Sequence, residues 1–466
     1  MFSRSTQEAI KVAIAISVSI GLAIFFQWEK PYWAGITVFV LSITETYGHS
    51  VQKSRNRILG TLLGISVGVT LVSLFSQDRL IFLTLITLYL GFCMVFYNHL
   101  KFGYAFKISV PVCFIVASIG GFDSVTTFNL VVLRIQETIL GVTVFSLVFR
   151  FIWPHTTEEV FFSGYKQLKL RLVHLDQHPE SFTGEKLVTE LAVCKQQAQK
   201  LHEILSLPLS YSHRLQYEYE LWQRRVMILV VFIDYQLQQL NDENSNVYSD
   251  TTHSDNTDRT SLGLADILEH TEVSELDDAS AHYFSLVESR YTSIEKHIKE
   301  AYREVTLSKP NFVRALKGMS MFVSGLLMWI HLPIPMGPMF PMVMGIFACM
   351  LPSLPDVMMK HAFYGVILFG AVYTAEYVLI MPTLSEIWQL CGLYFINTIV
   401  LWKVFSSPKH VVYRLLGGNL MMVMTMGALN LTPVYDVTTS ISMIVCVMLA
   451  LLVARFFTDL YKPLLR

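Results

Sequence analysis

The chain has 466 residues, 53% of them hydrophobic and only 15% charged, with a net charge of -1. So few charges, gathered between long apolar runs, exclude an ordinary soluble enzyme of this length and point to a polytopic membrane protein. The balanced charge gives nucleic acid no basic patch to bind, and six cysteines without a CxxC spacing read as small hydrophobes and one free thiol, neither a disulfide frame nor a metal site.

A helix needs about 20 apolar residues to cross a hydrocarbon layer roughly 30 Å thick. On that scale the first half predicts six membrane helices, centred on 12–27, 32–46, 58–77, 80–97, 106–121 and 128–149. The first follows a short basic start without a small-residue cleavage site, so it reads as a retained anchor. The second and fifth are short, as broken or strongly tilted elements buried among the others are. The segment 155–308 is a soluble insert with helical periodicity over 158–175, 184–205, 214–240 and 279–306. Within it, 241–278 is rich in Asp, Glu, Ser, Thr and Asn, has Arg259 as its sole Lys or Arg, and is expected to be a disordered linker. His174 and His178 stand one turn apart, but Pro179 follows and no further ligand spacing supports zinc, so they read as a solvated pair. The second half predicts helices centred on 316–330, 338–350, 361–380, 387–402, 415–431 and 437–454, with prolines in 331–338 ending or kinking a helix.

The chain therefore reads as an all-α membrane protein in three parts: a six-span unit (1–154), a helical cytoplasmic domain (155–308) and a second six-span unit (309–466). At an offset of 305 positions Leu147, Val148, Arg150 and Phe151 fall on Leu452, Val453, Arg455 and Phe456, and Gly60 falls on Gly365, which suggests a repeat. Lys53, Arg55 and Arg57, then Lys101 and Lys107, Lys360, and Lys403, Lys409 and Arg414 occupy alternate connections, whereas the opposite loops contain Lys30 and Arg79. Cytoplasmic loops are enriched in Lys and Arg, so both termini and the insert are expected inside, and the two halves become parallel repeats.

The stretch from Trp28 to Val38 (WEKPYWAGITV), followed by Arg57 to Gly64 (RILGTLLG) and Leu133 to Val142 (LRIQETILGV), resembles the aromatic acid exporter, or fusaric acid resistance, family. The layout of six spans, insert and six spans is similar to that of the p-hydroxybenzoate efflux pumps of this family. The resemblance implies export of aromatic carboxylates across a bacterial inner membrane, driven by the proton gradient, with a periplasmic membrane fusion protein as partner. Longer family members continue into a second soluble domain, whereas this sequence reaches Arg466 just after its last span, and its second half lacks a copy of the Trp-Pro-Tyr-Trp signature.

A carboxylate crossing a bilayer needs a fixed cation or donors in place of its hydration shell. Arg134, about two turns into the sixth span, is the candidate anion site, and Glu137 three residues on is the candidate proton-linked gate, although a self-neutralising structural ion pair is an equal alternative. The 305 offset places Thr439 and Ser442 opposite them. Tyr32 and Trp33, beside the interfacial Trp28, offer stacking surfaces to an aromatic anion, as the segment 331–341 offers helix N-termini. Glu376 and Glu45 are secondary proton-coupling candidates, with interfacial exposure as the simpler reading of each. Gly60, Gly64 and Gly68 form a small-residue stripe for helix packing, and Arg150 and Arg455 read as cytoplasmic anchors. No phosphate loop, nucleophile elbow or metal pair is present, so neither an enzyme nor a cofactor is expected. The reading is a proton-coupled exporter of small aromatic or related organic anions, with a homodimer left open. Its alternatives are a passive anion channel, whose architecture resembles that of plant aluminium-activated malate transporters, and a membrane-anchored sensing or assembly module.

Overall fold

A computed structural model describes residues 3–42, 47–99, 101–120, 123–153, 157–177, 184–205, 212–219 and scattered positions to 237, then 309–334, 336–353, 356–407 and 410–465. Among the described residues every regular element is a helix and there is no strand. Nine of these helices are long and apolar enough to cross a membrane, and three shorter apolar helices accompany them. The expected linker 241–278, His178 and Glu45 lie outside the described residues.

The first half forms α1 (Arg4–Phe25), α2 (Tyr32–Ser42), α3 (Tyr47–Phe75), α4 (Arg79–Val95), α5 (Gly103–Ile115) and α6 (Ser124–Phe151). Polar caps set several starts: the side chains of Ser3, Asp78 and Asp123 accept backbone N–H groups in the first turns of α1, α4 and α6. α2 has only 11 residues, and α5 carries Pro111 internally and passes into a π turn at Val116–Gly120, as the short second and fifth apolar runs predict. The second half forms α10 (Lys309–His331), α11 (Met339–Met350), α12 (Asp356–Leu379), α13 (Ile387–Val404), α14 (Val411–Met424) and α15 (Val437–Tyr461). The proline-rich break falls where the sequence puts it. α10 ends at His331, Met336 and Gly337 take left-handed φ of 74° and 53°, and Pro338 precedes α11.

Two compact units divide the chain, one taking Met1–Thr44, Lys53–Pro154 and Ala301–Arg466, the other Glu45–Gln52 and His155–Glu300. In the second unit α7 (Thr157–Gln177) packs on α8 (Gly184–Leu205), with the short α9 (His213–Tyr217) after them. Leu168, Leu172 and Leu175 share one face of α7, and Leu191, Cys194, Ala198, Leu201 and Leu205 share one face of α8. Those i, i+3 and i+4 spacings make the core between them. Phe161 meets Trp222 edge-to-face at 5.7 Å.

In the first unit the helices of the two halves exchange partners. α1 packs on α13 and α10 on α4, while α2 packs on α14 and α11 on α5. Within each half the second helix packs on the sixth, as α2 on α6 and α11 on α15. Small residues admit large ones at these crossings: a Cβ on Gly91 would lie 2.6 Å from the sulfur of Met319, and one on Gly35 2.7 Å from that of Met422. Close packing of this kind replaces the hydrophobic driving force that lipid cannot supply between helices.

Candidate functional site

The site is built where α6 crosses α2. Arg134 and Glu137 lie one turn apart on α6 and are almost wholly buried, at 4% and 1% exposure. The Arg134 guanidinium sits over the indole of Trp33 on α2, its central carbon 3.5 Å from the ring centroid, in a cation–π stack. Trp33 in turn lies against Tyr32, their centroids 5.2 Å apart. Gly141, one turn beyond Glu137, allows this approach, since a Cβ there would lie 2.8 Å from Thr37 Cβ and 2.9 Å from the Ala34 carbonyl oxygen.

Arg134 therefore spends its flat face on Trp33. Among the described residues neither oxygen of Glu137 accepts a hydrogen bond, and Arg134 Nε and Trp33 Nε1 donate none. Tyr32 lies within electrostatic range of both Arg134 and Glu137, and Lys30 within range of Glu137. Among the described residues, buried charge without hydrogen-bond partners thus lies beside an aromatic pair. The structure thus brings together Tyr32, Trp33, Arg134 and Glu137.

Arg57 joins them, a residue the sequence reading assigned to a basic loop. Lys53, Arg55 and Arg57 are part of α3, and Arg57 is only 8% exposed. Its Nη2 donates to Thr37 Oγ1 at 3.2 Å, and the Thr37 hydroxyl donates to the Trp33 carbonyl at 3.0 Å. Tyr104 of α5 places its buried hydroxyl beside Arg57. The available signal was phase: Arg57, Gly60 and Gly64 stand at i, i+3 and i+7, on the face that packs. Gly60 and Gly64 indeed seat α3 on α5, a Cβ at Gly60 falling 2.5 Å from the Ala105 carbonyl oxygen. Lys107, Lys360, Lys403 and Arg414 also lie within helices, in α5, α12, α13 and α14.

The remaining candidates stand elsewhere. Glu376 on α12 is half-buried and accepts from Asn397 Nδ2 on α13 at 2.6 Å. Thr439 is a capping residue whose hydroxyl donates to Asp436 at 2.8 Å in the first turn of α15. The caps Asp123 and Asp436 are 313 positions apart, since 436 − 123 = 313. Arg134 and Glu137 stand 11 and 14 residues beyond Asp123, since 134 − 123 = 11 and 137 − 123 = 14, and the positions equally far beyond Asp436 are Val447 and Ala450, both buried and apolar. Arg150 is exposed at the end of α6, and Arg455 pairs with Asp459 at 2.9 Å.

Among the described residues nine helices are long and apolar enough to cross a membrane, and Arg134 and Glu137 are buried within the first half, which defines a polytopic helical membrane protein. The sequence pattern of the fusaric acid resistance protein family matches residues 7–225 and 233–465, nearly the whole chain, and the chain belongs to that family. It is 30% identical over 88 residues to the uncharacterized transporter GOX0755 of Gluconobacter oxydans, covering 19% of this chain and 12% of that protein. It is 25% identical over 170 residues to the uncharacterized transporter YdhK of Salmonella typhimurium, covering 35% of this chain and 25% of that protein, and 24% identical over 169 residues to YdhK of Escherichia coli K12. The matched segments span a quarter or less of those relatives' own length.

Proposed function

We propose that the protein is an inner-membrane exporter of aromatic carboxylates or related organic anions, driven by the proton gradient and working with a periplasmic membrane fusion protein. The observation that carries the reading is the stack of Arg134 on Trp33 beside a Glu137 carboxylate that accepts no hydrogen bond. A substrate carboxylate that reaches Arg134 competes with Glu137 for the same cation. A proton arriving on Glu137 neutralises the competitor, so substrate and proton are linked through one guanidinium. Tyr32 and Trp33 supply the aromatic surface for a ring. The transporter names of the relatives agree with this reading.

The architecture that goes with it is two parallel six-span repeats with both termini and the insert cytoplasmic. Its support is the reciprocal pairing of α1 with α13 and α10 with α4, and of α2 with α14 and α11 with α5, as a pseudo-twofold axis requires. In each half the second and fifth helices are the short ones, 11 and 13 residues in the first and 12 and 14 in the second. The site itself is asymmetric, because Val447 and Ala450 hold the positions matching Arg134 and Glu137.

Uptake of labelled p-hydroxybenzoate into everted membrane vesicles tests the reading. Accumulation above equilibrium that requires an imposed proton gradient, and that Glu137→Gln abolishes, is the expected result. Equilibration without accumulation would replace the exporter by a passive anion channel, and no flux of this or related acids would overturn transport of aromatic acids.

A further inference from the structure

We propose that Arg57 is a second anion-binding residue of this site, and that it tunes the site to organic acids carrying two acceptor groups at opposite ends; the inference rests on the exporter reading. Arg134 arrives from α6 and lies on Trp33, while Arg57 arrives from α3 and donates to Thr37. Trp33 and Thr37 are four residues apart on α2, so the two guanidiniums meet that helix at points about 6 Å apart along its axis. That spacing is comparable with the width of a para-substituted benzene ring. Such a ring, with a carboxylate at one end and a hydroxyl or second carboxylate at the other, presents acceptors to both cations at once.

Polar accounting points the same way. Arg57 is 8% exposed, its Nε has no acceptor, and the partner of its Nη2 is a neutral hydroxyl. Among the described residues neither Arg57 nor Arg134 is hydrogen-bonded to a carboxylate. Buried cations are as a rule paired, and the guanidinium fork matches a planar carboxylate with two parallel bonds. Arg134 lies within electrostatic range of both Glu137 and Arg57, so two buried guanidiniums share the neighbourhood of one buried carboxylate, and the charge they lack is what a ligand would bring. Tyr104, its buried hydroxyl beside Arg57, adds a neutral group at the Arg57 end that both donates and accepts. An arginine serving only as a cytoplasmic anchor would reach toward water. The Gly60 and Gly64 contacts instead hold this stretch of α3 tightly against α5.

The test is ligand binding to the purified full-length protein in detergent, for wild type, Arg57→Gln and Arg57→Lys, with benzoate, p-hydroxybenzoate and terephthalate as probes. The wild type is expected to bind the two-ended acids about tenfold more tightly than benzoate, the size of one charge-assisted hydrogen bond. Arg57→Gln is expected to reduce that ratio to about twofold or less while benzoate affinity holds, and Arg57→Lys to restore part of it, since the charge remains but the fork is lost. An unchanged ratio, or an equal loss for all three acids, overturns the Arg57 assignment and leaves the exporter reading standing. Failure of folded wild type to bind any of the three overturns both. Unfolding midpoints without ligand show which variants fold. If Arg57→Gln does not, the ratio in Arg57→Lys decides, with a reduction of about threefold expected.

Discussion

Replacing Arg134 with methionine removes a buried cation from between an indole and a carboxylate, and the structure sets the size of both losses. A guanidinium 4% exposed and 3.5 Å from the Trp33 centroid contributes about 2 kcal/mol of cation–π attraction. Glu137, three residues further along the helix, is about 6 Å away. Two unit charges at that separation attract by 332/(εr), about 3 kcal/mol at an effective dielectric near 20. The desolvation cost of each charge is larger than either term, so single variants mix gain with loss. A double-mutant cycle cancels those costs. Arg134→Met, Glu137→Gln and the double variant should therefore show a coupling of about 3 kcal/mol, and the double should be more stable than Arg134→Met because no unpaired carboxylate is left buried. The assay is thermal or denaturant unfolding of the four purified proteins in one detergent. A coupling below about 1 kcal/mol, or a double variant no more stable than Arg134→Met, would show that the two charges are solvated independently and that Glu137 does not depend on Arg134.

Gly60→Ala should destabilise the protein, because its Cβ falls 2.5 Å from the Ala105 carbonyl oxygen and 3.0 Å from Ile108 Cβ. Overpacking costs about 1–3 kcal/mol against about 1 kcal/mol gained in helix propensity, and a raised unfolding midpoint would contradict the close α3–α5 seat. The bonds that Asp123 accepts from the Thr126 hydroxyl and backbone hold its carboxyl below the usual range, as those from Thr439 and Thr438 do for Asp436. A depressed carboxyl stabilises the fold above its unfolded pKa and loses that contribution as pH falls through the folded one. Asp123→Ala should thus lower the midpoint at pH 7 and make little difference well below about pH 4; an equal loss at both pH values would contradict the cap. Burial against α7 pushes the Cys194 thiol up. In a variant with Cys194 as its only cysteine, maleimide should react slowly at neutral pH and quickly after denaturation, and fast labelling of the native protein would mean that the α7–α8 core opens.

The membrane class, the places of the nine long apolar helices among the described residues and the break at 331–338 were legible in the sequence, because length and hydropathy are local properties that lipid reads directly. That Arg134 and Glu137 share one helix face follows equally from local spacing. What the sequence misplaced was Arg57. A run of Lys and Arg looks the same whether it lies in a loop or in the first turns of a long helix, and only the packing of α3 on α5 and α2 buries it. Where Arg134 spends its guanidinium was decided by tertiary structure as well. The i, i+3 spacing offered Glu137, but the crossing of α6 over α2 at Gly141 places an indole face at 3.5 Å, leaving the carboxylate without a donor. Sequence spacing fixes which groups share a helix face, whereas contacts between helices decide which of them meet, because those depend on small residues far apart in the chain.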